Sequence, residues 1–473
     1  MKALLKNSIL MMILIAVTAV TGCAGKSGGG SGLFSSNKFQ LRPFREVTLK
    51  NGLKVILIED QSLPYLSLGM LVRVGSRQDP AGASGLTDMV AELMDKGTRK
   101  HTALELSDQL AQYGGEFNAA ASKDATYVAA SSLSFHQDQL LKHFAEILTE
   151  ASFSNLEIER LRKRKLAQLR QLADDPESVT ELALDTYLYP NHPYSKPVSG
   201  MIREVRMLSK KQITKHYLQY YRPGNAQLAV VGKFSPDIVN RLEAVFVNWT
   251  DRPVKARDAV AFPKSENQQI LLIDRRDLQQ TQIRLAHEGI RRNNPDFIAL
   301  RLANAILGGG FSSRLMSEVR VKRGLTYSVS SYFDARLDEG PFVISTFTRN
   351  DKVGDTLREI LRVVKEYQQN GPSEVEIAEA KALLKGQFPR TLETPESLAS
   401  TLLYLRFYGV PDRYLTTYLN EVDKVSAQDL KRVINQYLKA DNFKILLHAP
   451  RAKAMPQLEG LGPVTVAPPS QYL

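Results

Sequence analysis

The chain repeats itself, and that repetition limits what it can fold into more than any single motif does. Residues 53–59 read as a short β-branched strand, with residues 270–274 as the counterpart. Second strands are expected at 66–74 and 282–288, each followed by apolar residues at helical spacing, over 84–94 and 295–307. The parallel continues with strands at 125–132 and 342–347 and amphipathic helices at 137–151 and 353–370. Ser154 and Ser373 each stand three residues before a Glu and open a long helix. Asp175-Pro176-Glu177-Ser178 matches Thr394-Pro395-Glu396-Ser397, and each half closes on a strand, 227–231 and 444–448. So many features in one order imply two copies of an α+β unit of about 200 residues. Strands at hairpin spacing mixed with helix runs predict two homologous sandwich halves. Each is a mixed, largely antiparallel sheet covered by helices on one face.

The boundaries follow from this reading. Residues 41–250 form the first half, and 251–268, with Pro253 and Pro263, form a linker. The second half runs over 269–450, with a tail at 451–473. The composition, 43% hydrophobic and 24% charged, excludes a largely disordered chain. A net charge of +12 favours anionic partners such as acidic peptides or membrane surfaces. One cysteine excludes a disulfide framework and a Cys-based metal cluster.

That cysteine, Cys23, ends the opening segment. Lys2 and Lys6 precede an apolar run from Ile9 to Val20, which is shorter than the roughly 20 residues of a membrane span and reads as a secretory signal. Val20-Thr21-Gly22-Cys23 resembles the bacterial lipobox, in which cleavage precedes the cysteine and lipid is attached to it. The resemblance implies a signal peptide over 1–22 and a lipidated Cys23. A flexible Gly/Ser-rich tether then covers 23–40. Ala24, where Asp would resemble the inner-membrane retention signal, implies an outer-membrane lipoprotein facing the periplasm.

The stretch from Gly85 to Thr98, with its Lys96-Gly97-Thr98 ending, resembles the zinc-binding helix of the pitrilysin/insulinase peptidase family, which includes mitochondrial processing peptidase. In that family the helix carries H-x-x-E-H: two zinc-binding His on one face and a Glu as general base. Here the matching positions hold Asp88, Ala91 and Glu92, and the third ligand position falls at Gln168. The resemblance therefore implies a chain that binds no zinc of its own. Asp88 and Glu92 could share a cation, but two carboxylates make a weak site, and a solvated helix face is the expectation. His136 and His143 read as surface residues, and His192 as part of a structural turn. The basic run Arg160, Arg162, Lys163, Arg164 and Lys165 reads as a solvated or inter-subunit face. Without an aromatic platform it gives no nucleic-acid site.

The second half carries a complementary signature. Gly308-Gly309-Gly310 leads through Arg314 to Arg323-Gly324-Leu325-Thr326-Tyr327, which resembles the family's R-G-L-x-Y core. The glycines lack a P-loop pattern and read either as a loop flanking a peptide channel or as a helix C-cap. By resemblance, Arg323 and Tyr327 hold substrate and stabilise an oxyanion at the zinc site of a facing domain. Some bacterial members divide this work between two chains. The expectation is a non-catalytic subunit, inactive alone, that pairs with a zinc-bearing homologue as a heterodimer and supplies Arg and Tyr for peptide hydrolysis. The alternative is a peptide-binding or scaffolding pseudoenzyme of the cell envelope. A self-sufficient enzyme with a borrowed metal at Asp88 and Glu92 is weaker. The lipobox yields one expected outcome: Cys23→Ser releases the protein from the membrane fraction or blocks its processing, read by fractionation and mass spectrometry of the mature N-terminus.

Overall fold

The first half contains strands β1 (Arg45–Thr48), β2 (Lys54–Glu59), β3 (Tyr65–Val72), β4 (Glu116–Ala121), β5 (Thr126–Leu133) and β6 (Ala226–Gly232). Its helices are α1 (Leu86–Leu93), α2 (Ala103–Gln112), α3 (Gln137–Glu150), α4 (Asn155–Leu172), α5 (Pro176–Leu188), α6 (Ile202–Met207), α7 (Lys210–Tyr220) and α8 (Ile238–Val245). The second half contains β7 (Gln269–Asp274), β8 (Gln280–Glu288), β9 (Val329–Phe333), β10 (Pro341–Arg349), β11 (Lys444–Ala449) and β12 (Val464–Ala467). Its helices are α9 (Phe297–Leu307), α10 (Val353–Asn370), α11 (Glu374–Gln387), α12 (Pro395–Phe407), α13 (Arg413–Lys424), α14 (Ala427–Tyr437) and α15 (Arg451–Ala454). This computed structural model describes residues 41–255, 258–263 and 267–472; the signal segment, Cys23 and the tether lie outside the described residues.

Each half builds a six-stranded sheet, in the orders β1-β2-β6-β3-β5-β4 and β12-β7-β11-β8-β10-β9. The central pairs β2/β6 and β7/β11 are parallel, and the hairpin-side pairs are antiparallel in both sheets. The outer slot is filled from opposite ends of the chain. β1 enters antiparallel to β2 from before the first half, whereas β12 lies parallel to β7 and comes from residues expected as a tail. The repeated helix starts owe their position to capping. Ser154, Asp175, Ser373 and Thr394 each accept a hydrogen bond from the N–H three residues on, and Pro176 and Pro395 fill first-turn positions that need no N–H.

The expectation that helices cover one face of each sheet requires correction. Alternation along β2 and β6 sends Val55, Leu57, Leu228 and Val230 into a core shared with α1, α3 and α4. Ile56, Ile58, Ala229 and Val231 are just as buried on the other face, where α12 of the second half packs across β2, β3 and β6. The exchange is reciprocal. α5 of the first half lies on β8 and β11, and Ala183, Leu184 and Leu188 share a core with Leu271, Ile273, Ala286, Val343 and Leu446. Burial of Leu184 and Leu188 is worth about 2 kcal/mol each. Arg284 on β8, fully buried, reaches Glu181 of α5 at 2.6 Å. One glycine makes room for this packing: a Cβ on Gly69 in β3 would lie 2.3 Å from the hydroxyl of Tyr127, whose ring stacks on Tyr404 of α12.

A buried ionic seam joins the halves beside these helices. Arg77, 2% exposed, bonds Asp338 at 2.6 Å and lies 3.9 Å from Asp124. The Tyr194 hydroxyl donates to Asp124 at 2.6 Å and accepts from the Asp338 N–H, while Leu337 N–H donates to Asp124. Asp185 joins Lys123 at 2.8 Å to Arg336 at 3.0 Å. Burial opposes the charge on Asp185, but Arg336 and Lys123 outweigh it and hold its pKa below the usual carboxylate value. Removing one member of such a pair strands the other in a dry interior. We expect Arg77→Met to lower stability by about 3 kcal/mol or more. The urea midpoint checks this, and adding Asp338→Asn should recover part of the loss.

Candidate functional site

The helix that carries the degenerate metal motif is rigidly placed. Asp79 accepts from the N–H groups of Gly85 and Thr87 at 2.9 Å and from the Thr87 hydroxyl at 2.6 Å, so it caps the start of α1. The same hydroxyl sits 2.9 Å from Nε2 of His216 on α7. Burial pushes the Asp79 carboxyl up to about 7, against these donors, and pushes His216 down to about 4.

Asp88 and Glu92, one turn apart on α1, point toward α4. They do not form the solvated face expected of them. Lys165 of α4, its side chain 5% exposed, places its ammonium between the two carboxylates, bonding Asp88 and, at 2.6 Å, Glu92. Arg164 binds the second oxygen of Glu92 at 2.8 Å. Burial disfavours the Lys165 ammonium, but the two carboxylates outweigh it and raise its pKa above the ordinary lysine value. Burial likewise opposes the Glu92 carboxylate, and the bonds from Lys165 and Arg164 more than compensate. Burial pushes Asp88 up, with Lys165 opposing.

Zinc does not fit this arrangement. A cation at Asp88 and Glu92 would have to expel Lys165 and abandon it in a buried position. Ala91, fully buried, stands where a base would be needed. Among the described residues no three His, Cys, Asp or Glu converge to hold a metal. Gln168, expected at the third ligand position, is exposed one turn beyond Lys165; both line a cavity of about 490 Å³ with Leu169, Leu172 and Ser199. The residue that reaches the carboxylates is Lys165, part of the basic run expected to form a solvated or inter-subunit face. Only part of that run is solvated. Arg162 also turns inward, donating to the carbonyls of Val205 at 2.5 Å and Leu208 at 2.6 Å and so closing the end of α6. Two histidine readings change as well. His143 is buried, stacked on Tyr113 and bonded to its hydroxyl at 2.9 Å and to Gln109 at 2.8 Å, while His136 sits half-buried at the start of α3. His192 caps its turn by accepting from the Tyr194 N–H.

The second-half motif is arranged differently from its spacing. Gly308 and Gly309 end α9 in close contact: a Cβ would lie 2.7 Å from the Ser331 nitrogen at Gly308 and 2.9 Å from Ala305 Cα at Gly309. Gly310 has ordinary room. Met316–Lys322 form a π-helix, whose wider turn moves the following side chains out of α-helical register. Arg323 pairs with Glu359 of α10 at 2.8 Å, and Glu359 also holds Arg362. The guanidinium that faces Tyr327 belongs to Arg320. It lies 4.7 Å from the Tyr327 ring centroid and 4.9 Å from that of Phe311. Tyr327 is 74% and Phe311 75% exposed, and among the described residues Arg320 has no carboxylate partner. This Phe–Arg–Tyr stack presents a cation and a phenol to solvent, held by cation–π contact.

The buried triad gives a direct expectation. Lys165→Met leaves two carboxylates facing each other and should cost about 3 kcal/mol in urea unfolding. Adding Asp88→Asn and Glu92→Gln should restore most of it.

Two family models match the chain: insulinase (peptidase family M16) over residues 54–201, and the peptidase M16 inactive domain over residues 208–384. An uncharacterized zinc protease of Streptomyces coelicolor is 28% identical over 405 residues, covering 83% of this chain and 87% of the relative. The uncharacterized zinc protease YmxG of Bacillus subtilis is 23% identical over 409 residues, 86% of this chain and 98% of that one. Among solved structures, a peptidase M16 inactive domain from Pseudomonas fluorescens superposes with a TM-score of 0.80 at 29% identity, over 86% of this chain and 98% of that chain. A protease from Helicobacter pylori shares the fold, with a TM-score of 0.79 at 24% identity over 87% of this chain and 100% of its own. With both halves matched in order, the chain belongs to the pitrilysin/insulinase peptidase family M16, its second half matching the family's inactive-domain model.

Proposed function

We propose that this chain is the non-catalytic subunit of a two-chain zinc endopeptidase, presenting Arg320 and Tyr327 to the zinc site of a zinc-bearing homologue. The observation that carries the reading is an asymmetry between the halves. The first-half metal position is closed by its own ammonium, whereas the second half holds a guanidinium, with no carboxylate partner among the described residues, stacked on an exposed phenol. A guanidinium and a phenol hydroxyl are donors suited to the negative charge that develops on a scissile carbonyl oxygen. Beside Lys165 they have nothing to assist, because no group there activates a water. Facing a partner's metal, they complete a site. With Cys23 lipidated, the pair works at the periplasmic face of the outer membrane on peptides that enter between the two chains.

The test is peptidase activity of the chain reconstituted with a homologue that keeps H-x-x-E-H, with assembly followed by size-exclusion chromatography. Each chain alone should be inactive. Arg320→Lys and Tyr327→Phe should assemble normally and lower turnover by about 10²–10³, the usual loss for one oxyanion donor. Arg323→Lys should change turnover little, since Arg323 is committed to Glu359. Full activity in the first two variants would refute the role, and a large loss in the third alone would return it to Arg323.

A further inference from the structure

The duplication places the helix pair α9/α11 in the second half where α1/α4 stands in the first. In the first half the cation in this cleft, Lys165, meets two carboxylates of the protein itself. In the second half it meets none. A cavity of about 220 Å³ opens between α9, β9 and α11. Ile290, Leu300 and Leu384 give it an apolar floor, Arg301 and Asn304 line it from α9, and Gln387 stands at its mouth. Arg301 is half-buried, and among the described residues no Asp or Glu lies within ion-pair reach of it. Its guanidinium lies 5.6 Å from the ring of Tyr418, whose buried hydroxyl has no hydrogen-bond partner among the described residues. A second guanidinium, Arg292, with no carboxylate partner among the described residues, packs 3.9 Å from the ring of Phe297 on the cavity wall and 5.1 Å from Tyr414. Burial lowers the Arg292 pKa, with Tyr414 opposing and the charge of Arg301 adding to the lowering. Elsewhere the chain neutralises its inward-facing arginines: Arg77, Arg284 and Arg336 each hold a carboxylate.

We propose that this cavity is a binding site for a carboxylate attached to a compact apolar group, the anion bound by the Arg301 guanidinium and the apolar group seated on Ile290, Leu300 and Leu384. Positive charge with no internal partner selects the anion, and a planar guanidinium matches a carboxylate with two parallel bonds. The cavity exceeds what a bare oxyanion fills, and its apolar floor selects the attached group. Two sources share this chemistry, the C-terminal residue of a peptide and a free short-chain fatty acid. The site does not depend on the presence of a partner chain.

The test is calorimetric titration of the full chain with N-acetyl-leucine, N-acetyl-leucinamide, 4-methylpentanoate and inorganic phosphate, together with heat-unfolding midpoints. Saturable binding of either acid is expected, and the tighter one identifies the source. The amide should bind about ten- to a hundredfold more weakly, having lost the charge-assisted bonds. Arg301→Gln should lose acid binding and the associated rise in midpoint, yet fold normally, because it removes a charge that has no partner. Leu383→Glu, which puts a carboxylate of the chain's own on the cavity wall, should also lose acid binding. The proposal fails if the amide binds as tightly as the acid, if phosphate displaces the acids on equal terms, or if both variants bind like the parent.

Discussion

Neither sheet of this protein can bury both faces with helices from its own half. Each is covered on one side by local helices and on the other by a helix borrowed across the linker, α12 for the first sheet and α5 for the second. The rest of the architecture depends on that exchange. It brings Tyr194, Arg77 and Asp124 against residues 334–338 and forces a charged seam into the interior, where each group must find its partner. The two halves are therefore one mechanical body, and surfaces on both keep a fixed relation to each other.

The first-half site shows how a metal centre can be lost while its frame survives. α1, its cap Asp79 and the facing helix α4 remain, and Lys165 supplies in protein form the positive charge that two acidic side chains require. An ammonium satisfies the same electrostatic need as a cation but polarises no water toward attack. At these two carboxylates the fold keeps the packing of the helix pair with an ammonium in the cation's place.

Much of the fold was legible in the sequence, because it rests on local rules: the β-branched apolar run of β2, partial alternation in β3 and β8, and side-chain caps at Ser154, Asp175, Ser373 and Thr394. Strands β1, β4, β9 and β12 were missed. β1 and β12 are short edge strands, and β4, with its run of alanines, lacks the β-branched residues that mark a strand. The site was less legible. Lys165 looked solvated because it sits in a basic run, yet it falls in register with Ile158, Leu161 and Leu169 on the buried stripe of α4, a signal the spacing did contain. His143 sits in the same way between Leu140 and Ile147 on α3. The pairing of Arg323 with Glu359 and the stacking of Arg320 on Tyr327 left no such trace. A π-helix changes the residues per turn, and Arg323 is drawn off by Glu359, more than thirty positions away.

The borrowed helices also bear on how the chain reaches its folded state. The ribosome releases β1 through β6 well before α12, so the first sheet waits with Ile56, Ile58, Ala229 and Val231 uncovered until residues 395–407 follow. Contacts this distant in sequence slow folding and leave an adhesive intermediate. A cut at the linker would take from each sheet the helix that covers its second face, leaving each half with an exposed apolar surface.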